Sequence, residues 1–597
     1  MQTPSTIIDN VEQLKAYLQV ALQLEHATIP PYLTAAYSAN IEANKPSIDI
    51  IRTVAKEEML HLTLAANLLN AIGGKPNLIS PDFVPSYPTY LPTGQDDFDV
   101  SIGKFSNEAL KIFLDIERPA SVKPEQADIV QRITKIVPIS GDHIDKSMLE
   151  NENALVPITK VGDNKYELHY NIALVSHTHL TTKRRSISEA GDSLVPRVAE
   201  NCSAENSTTL HYWSIGEFYK AIHLGFVELT NKMQLKDLFI GDPKRQVDKS
   251  YFSAGGKLII VTDIRCALMA IDFIAGQGEG SNHRVYDGKG ELAHYYRFDQ
   301  IQKKRYYRDP NKDGTGDQAG HPQGGRFPVD MDSVSPVKTN AKVADYHGHP
   351  ELEENALLFN GQYKRFLEKL NTAFNGHPEL LDQVFFAEMA RIKDAMERLI
   401  HNPIPGTDEN AAPTFEMDQF KYPPAPAASP ASTPSLHPQP LPRPDPFENF
   451  VLLSVRLCGI SKFDLQGTGY ARRYFETVEG IVGPDVLNRL LEAFGALPAA
   501  PVPGAFQAAI LNHPEFGPVA RNIIKLWYTA TWFQLPSTWR NNFGARPEDR
   551  TFVPYPYAYP ESLLGTAVGA HPAGAKPTGH QSWTLPPVYL PIPPECE

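Results

Sequence analysis

The stretch KEEMLHLTL, residues 56–64, carries a glutamate and a histidine where its helical spacing calls for apolar side chains. Ile51, Val54, Ala55, Leu62, Ala65, Leu69 and Ile72 recur at three- and four-residue intervals, and Glu58 and His61 fill the two missing steps of that series. The spacing predicts a helix from about Ser47, a candidate N-cap behind Pro46, to Ile72, with Gly73 and Gly74 as its stop. Glu58 and His61 are therefore expected to face a core. An ionised carboxylate buried without a partner is costly enough that it neutralises or finds a compensating cation. A metal ion would supply that compensation. The plainer reading is a bundle held by internal Glu–His or Glu–Arg hydrogen bonds.

The preceding segment repeats the anomaly. Val11, Leu14, Leu18, Leu22, Ile29, Leu33 and Ala36 mark one face of a second long helix, and Glu25 lies on that face. Glu25 and Glu58 are 33 residues apart, a separation that lets two antiparallel helices bring both carboxylates to one level of a bundle. Pro30 and Pro31 follow closely and are expected to free the carbonyls of His26 and Ala27 and to bend the helix.

A second Glu-x-x-His occurs in ELAHYYRFDQI, where Glu291 and His294 are expected to share a helical face with Tyr295, Phe298 and Ile301. A dinuclear carboxylate site in a four-helix bundle takes one Glu from each of two helices and a Glu-x-x-His from each of the other two. Glu25, Glu58, His61, Glu291 and His294 fill five of those positions. Glu217, in WSIGEFYKAIHLGFVEL, is the expected sixth, although the stripe of Ile215, Phe218, Ile222 and Phe226 is offset from it by about one residue. Glu228 and Glu279 are its rivals. Glu279, Tyr32 and Tyr295 are expected around the ligands. Glu58 and Glu291 are expected to bridge two metal ions, with the other four residues as terminal ligands. Oxygen and nitrogen donors without sulfur suit iron, with manganese as the next choice, and ligand type alone leaves zinc open.

The remaining chain sets the context. At 597 residues, two or three domains are expected. With 42% apolar and 21% charged residues and a mean hydropathy of -0.31 the chain reads as soluble and globular. No apolar run approaches the roughly 20 residues that span a bilayer, and the start MQTPSTIIDNVEQL lacks the basic and apolar regions of a secretion signal. A cytoplasmic location is expected. Four scattered cysteines without C-x-x-C pairing argue against a zinc module, an iron–sulfur site or a disulfide framework. A net charge of -13 without a basic block disfavours nucleic acid and anionic membranes as partners. Nothing resembles a dinucleotide fingerprint, so a flavin or nicotinamide would have to come with a partner.

The clearest boundary is YPPAPAASPASTPSLHPQPLPRPDPF, residues 422–447, whose ten prolines read as a semi-rigid linker. Three regions follow: residues 1–420, a metal-binding bundle with a mixed insertion at 80–205; a Pro-rich linker at 421–446; and a smaller helical and loop-rich domain at 447–597. Strands are expected at VPITKVG and KYELHYNIALV, and helices at 213–229, 258–277, 357–374 and 379–400. DPNKDGTGD, residues 309–317, lacks the closing Glu of an EF-hand. His571 and His580 sit in Gly/Pro loops and read as structural, and Trp527, Trp532 and Trp583 read as core or interface.

LQLEHATIPPYLTAAYS, VAKEEMLHLTLAANLLNAIGGKP, IGEFYKAI, QGEGS, ELAHYYRF, NGQYKRFLEKLNTAFNG and APTFE resemble the blocks of the ferritin-like domain of iminophenylpyruvate dimer synthases, over most of residues 8–417. The resemblance implies a mainly α, ferritin-like four-helix bundle, an iron centre, and oxidative chemistry on imines formed by a partner amino-acid oxidase. FVLLSVRLCGISKFDLQGTGYARRYFE, PVARNIIKLWYTATW and YPESLLGTAVGAHPAGAKPTGHQSW resemble the small subunit of flavin-dependent sorbitol and gluconate dehydrogenases. That likeness implies a docking or maturation role without a bound flavin.

Two functions are therefore expected to compete. The first is a non-haem di-iron oxidoreductase, with two iron ions per chain, that uses dioxygen or peroxide on an amino-acid-derived small molecule. The second is an accessory subunit of a flavoprotein oxidase or dehydrogenase, with a structural or peroxide-removing bundle. A homo-oligomer is compatible with both.

Overall fold

The structure, a computed structural model, describes residues 8–93, 98–119, 130–144, 146–149, 154–176, 210–248, 258–278, 285–286, 291–308, 317–381, 384, 388–422, 445–497, 504–544 and 546–564. The protein is mainly α. Glu279, His571, His580, Trp583 and most of the proline-rich stretch lie outside the described residues.

Helices α1 (Val11–Ser38) and α2 (Ile41–Ala71) form a hairpin linked by Ala39 and Asn40, and they pack along each other. Asn10 caps α1 through its side chain. The helix runs on through Pro30 and Pro31. The hydroxyl of Tyr87 donates to the Ala27 carbonyl at 3.0 Å, replacing the N–H that Pro31 lacks. Helix α2 starts earlier than expected: Asn40, rather than Ser47, is the cap, and a non-helical Asn44 breaks the first turn ahead of Pro46. Its end matches the expectation. Gly73 takes a φ of +73, and Gly73 and Gly74 donate to the carbonyls of Asn70 and Leu69.

The segment expected to be a mixed insertion of low periodicity holds a helix as well as a sheet. Helix α3 (Asn107–Ile116) is capped by Ser106 and buries Ala109, Leu110, Phe113, Leu114 and Ile116. Strands β1 (Val130–Ser140), β2 (Ile158–Gly162), β3 (Lys165–Ser176) and β4 (Leu210–Tyr212) form an antiparallel sheet in which β3 pairs with β1, β2 and β4. Helix α4 (Ile215–Lys232) lies against β3 and packs on α5 (Ile264–Gly278). Helix α6 (His294–Gln302) packs on α3, with Phe113 and Phe298 ring centroids 5.2 Å apart.

Contacts divide the chain into two compact units: Met1–Asp345, Tyr363–Val384 and Thr414–Phe420; and Tyr346–Gln362, Phe385–Pro413 and Lys421–Glu597. This division does not follow the proline-rich stretch alone, because α7 (Pro350–Phe374) is shared and α8 (Met389–Ile400) falls with the second unit. The second unit has its own apolar core, which includes Phe450, Tyr474, Leu490, Ile523, Trp527 and Trp532. Trp532 donates its indole N–H to Asp549 at 3.1 Å. No helix among the described residues is long and apolar enough to cross a membrane.

Candidate metal centre

Glu25 on α1 and Glu58 and His61 on α2 come together in the hairpin, all buried. The Nδ1 atom of His61 lies 3.5 Å from Oε2 of Glu25 and 3.6 Å from Oε2 of Glu58. The other Glu58 oxygen, Oε1, lies 2.8 Å from Nδ1 of His294, and that nitrogen lies 3.5 Å from Oε2 of Glu117. Two triads result, Glu25–Glu58–His61 and Glu58–Glu117–His294, each with donor atoms within 4.8 Å of one another. Glu58 belongs to both. The two imidazoles are nearly parallel, with centroids 5.5 Å apart.

Each imidazole is oriented from behind. Nε2 of His61 is 3.0 Å from Oε1 of Gln277 on α5, and Nε2 of His294 is 2.9 Å from Oε2 of Glu57. Arg297 donates to the same Glu57 oxygen at 2.6 Å. A carboxylate or amide oxygen on Nε2–H fixes the tautomer whose Nδ1 lone pair points into the cluster, the arrangement metal-binding histidines use. Nδ1 of His294 and Oε1 of Glu58, although close, are not aligned for a hydrogen bond, and neither has a hydrogen-bond partner among the described residues. Carboxylates and imidazole nitrogens that converge in a buried space suit a cation, protons on the imidazoles in the metal-free protein or a metal ion in their place.

The protonation balance of the metal-free protein follows from the same packing. Burial pushes the Glu25 carboxyl up to about 8, against the pull of His61. Burial, and then the charge of Glu58, also raises Glu117. Burial opposes charge on His61, but Glu58 and Glu25 hold its imidazole up at about 10. His294 is likewise raised, against burial, by its contacts with Glu117, Glu57 and Glu58. Burial would lift Glu58 too, yet His61 and His294 together hold it below the usual carboxylate range. Without a metal, the two imidazolium ions compensate the shared carboxylate.

The structure corrects two expected ligands. Glu291 precedes α6 instead of lying on it, because the helix begins at His294 with Ala293 as its cap; its side chain is 60% exposed and faces Arg297 at 3.9 Å. Glu217 is buried at the first turn of α4, but its oxygens are taken: Oε2 accepts from the Ala173 N–H at 2.8 Å and Oε1 from Lys220 at 2.9 Å. It clamps the helix to β3. Its rival Glu228 pairs with Lys135. The side chain that α4 contributes to the cluster is Tyr219, whose hydroxyl donates to Glu25. Tyr32 donates to Glu117, whereas Tyr295 packs edge-on against Tyr296 in a small aromatic cluster.

Glu117 and Glu57 were not among the expected residues. The signal for Glu117 was present: in SNEALKIFLDIERP it stands four residues after Phe113 on the stripe of Ala109, Leu110 and Phe113, the same substitution of acid for apolar residue that marks Glu58. Glu57 carries no such mark.

Residues 18–303 match the family model described as Ferritin-like. The chain carries a ferritin-like domain. A ferritin-like protein from Caulobacter vibrioides of known structure is 19% identical, over 65% of this chain and 95% of that one, with a TM-score of 0.34. No curated protein matches the chain. Two candidate metal-ligand clusters inside a ferritin-like domain, suited to two iron ions per chain, support a ferritin-like oxidoreductase.

Proposed function

We propose that residues 1–420 form a non-haem di-iron oxidoreductase that acts with dioxygen or peroxide on an amino-acid-derived small molecule, an imine or a related compound. The observation that carries the reading is the sharing of Glu58, one oxygen toward each imidazole. Glu58 would bridge, Glu25 and His61 would hold one ion, and Glu117 and His294 the other. Iron held there supplies one-electron chemistry toward oxygen or peroxide. The chain's own part is to exclude water, since every one of these side chains is buried, and to hold both imidazoles in one tautomer through Gln277 and Glu57. The imine class rests on the resemblance to dimer synthases alone. A second role, docking of residues 447–597 to a flavoprotein, rests on the resemblance of that segment to the dehydrogenase small subunit alone.

Metal analysis of the full chain, purified gently from iron-supplemented medium, tests the first reading. About two iron ions per chain are expected. Less than about half an equivalent of any transition metal overturns the reading.

A further inference from the structure

Two buried phenols meet the two outer acids of the cluster in the same way. Tyr219, on α4, donates its hydroxyl to Oε1 of Glu25 at 2.5 Å, and Tyr32, on α1, donates to Oε1 of Glu117 at 2.6 Å. In each case the remaining oxygen, Oε2, is the one that faces an imidazole Nδ1, at 3.5 Å. Glu58 differs. Among the described residues it accepts from no phenol, and it turns one oxygen to each histidine. The ties cross between helices, because α1 supplies both Glu25 and the phenol that holds Glu117, whereas Glu25 is held from α4.

We propose that Tyr219 and Tyr32 are positioning residues that hold Glu25 and Glu117 as single-oxygen ligands, so that each half-site keeps a coordination position that a chelating carboxylate would fill. The inference rests on the di-iron reading. A carboxylate can offer both oxygens to one ion. An oxygen that already accepts a short O–H···O⁻ bond is committed in direction, and turning it toward a metal would strand a buried phenol without a partner. The retained position is where a small exogenous ligand of the dioxygen, peroxide or azide class would enter.

Cobalt(II) tests this without turnover, since it absorbs visible light more strongly at four or five ligands than at six. Metal-free full-length wild type, Tyr219→Phe, Tyr32→Phe and Tyr17→Phe are titrated with cobalt(II), and azide is then added. Tyr17 is a buried phenol on α1 whose hydroxyl meets Tyr212 at 3.0 Å, so its loss reports on removing a buried phenol as such. Wild type and Tyr17→Phe should bind two cobalt ions and show the full azide response. Tyr219→Phe and Tyr32→Phe should each lose about half of the visible absorption and of the azide response, one half-site apiece, and the double variant nearly all of it. Spectra and azide responses equal to wild type in both single variants overturn the inference and leave the di-iron reading standing. Wild type that takes up no cobalt overturns both. Should one single variant fail to fold, the other decides, because each reports on its own half-site.

Discussion

The cluster around Glu58 and the junction around Glu217 both bury glutamates inside the same unit, yet they are built for opposite ends. At the junction, both oxygens of Glu217 are satisfied by the Ala173 N–H and the Lys220 ammonium. The acid there joins a helix to a sheet and has nothing left to offer. In the cluster, three acids and two imidazoles converge, and Oε1 of Glu58 and Nδ1 of His294 stay unpartnered among the described residues. Burial alone therefore does not mark a ligand. The useful mark is burial with several ligand-type atoms that converge on one another and lack aligned hydrogen bonds.

This contrast breaks most sharply at Glu58. Glu58→Ala should remove both metal equivalents, because both triads contain it, whereas Glu25→Ala and Glu117→Ala should each remove about one of two. Metal stoichiometry of the three variants checks this, and equal losses in all three would erase the distinction between shared and outer acids.

A pH series sharpens the contrast further. Glu25, raised from 4.5 to about 8, and His61, raised from 6.5 to about 10, bind protons more tightly in the folded metal-free protein than in the unfolded chain. Their contribution to stability is complete below the unfolded values and is lost as pH climbs, through about 8 for Glu25 and about 10 for His61. The chelator-treated protein should thus melt lower as pH rises across that window. The iron-loaded protein should gain relative to it, since ligation needs the deprotonated groups and releases their protons. Thermal melts with chelator and with anaerobic iron(II) measure both slopes; parallel slopes would contradict the ligand reading.

At the junction the outcome reverses. Glu217→Ala should leave metal content intact and cost about 1–3 kcal/mol, since it strands the Ala173 N–H, while Lys220, with a side chain 18% exposed, can turn to water. Denaturant melts alongside metal analysis read both quantities. The smallest effect is expected at Glu291. With its side chain 60% exposed, Glu291→Ala should change neither metal content nor stability by more than about 0.5 kcal/mol, and loss of an ion in that variant would reinstate it as a ligand.

Much of the cluster was legible because Glu25, Glu58 and His61 interrupt long apolar stripes, and a stripe interrupted by an acid can be read without a fold. Glu117 obeys the same rule as the C-cap of α3, but a ten-residue helix within a polar, proline-containing segment gives the rule little length to work on. Glu291 misled for the complementary reason: the Glu-x-x-His spacing implies a shared face only if a helix spans it, and here the helix begins at the histidine. The offset of Glu217 from the apolar stripe of α4 was a true sign that it faces the sheet.

By itself, then, the sequence determined a mainly α protein with a ferritin-like domain and the helical hairpin that pairs Glu25 with Glu58 and His61, because helical periodicity and glycine stops act over a few neighbouring residues. Only the tertiary structure decided what stands opposite that pair. Glu117 and His294 reach it from helices about 60 and 230 residues further along the chain, Gln277 and Glu57 select the imidazole tautomers, and Tyr219 and Tyr32 commit one oxygen of each outer acid. Such contacts depend on how α3, α4, α5 and α6 pack against the hairpin, and no local spacing encodes that packing.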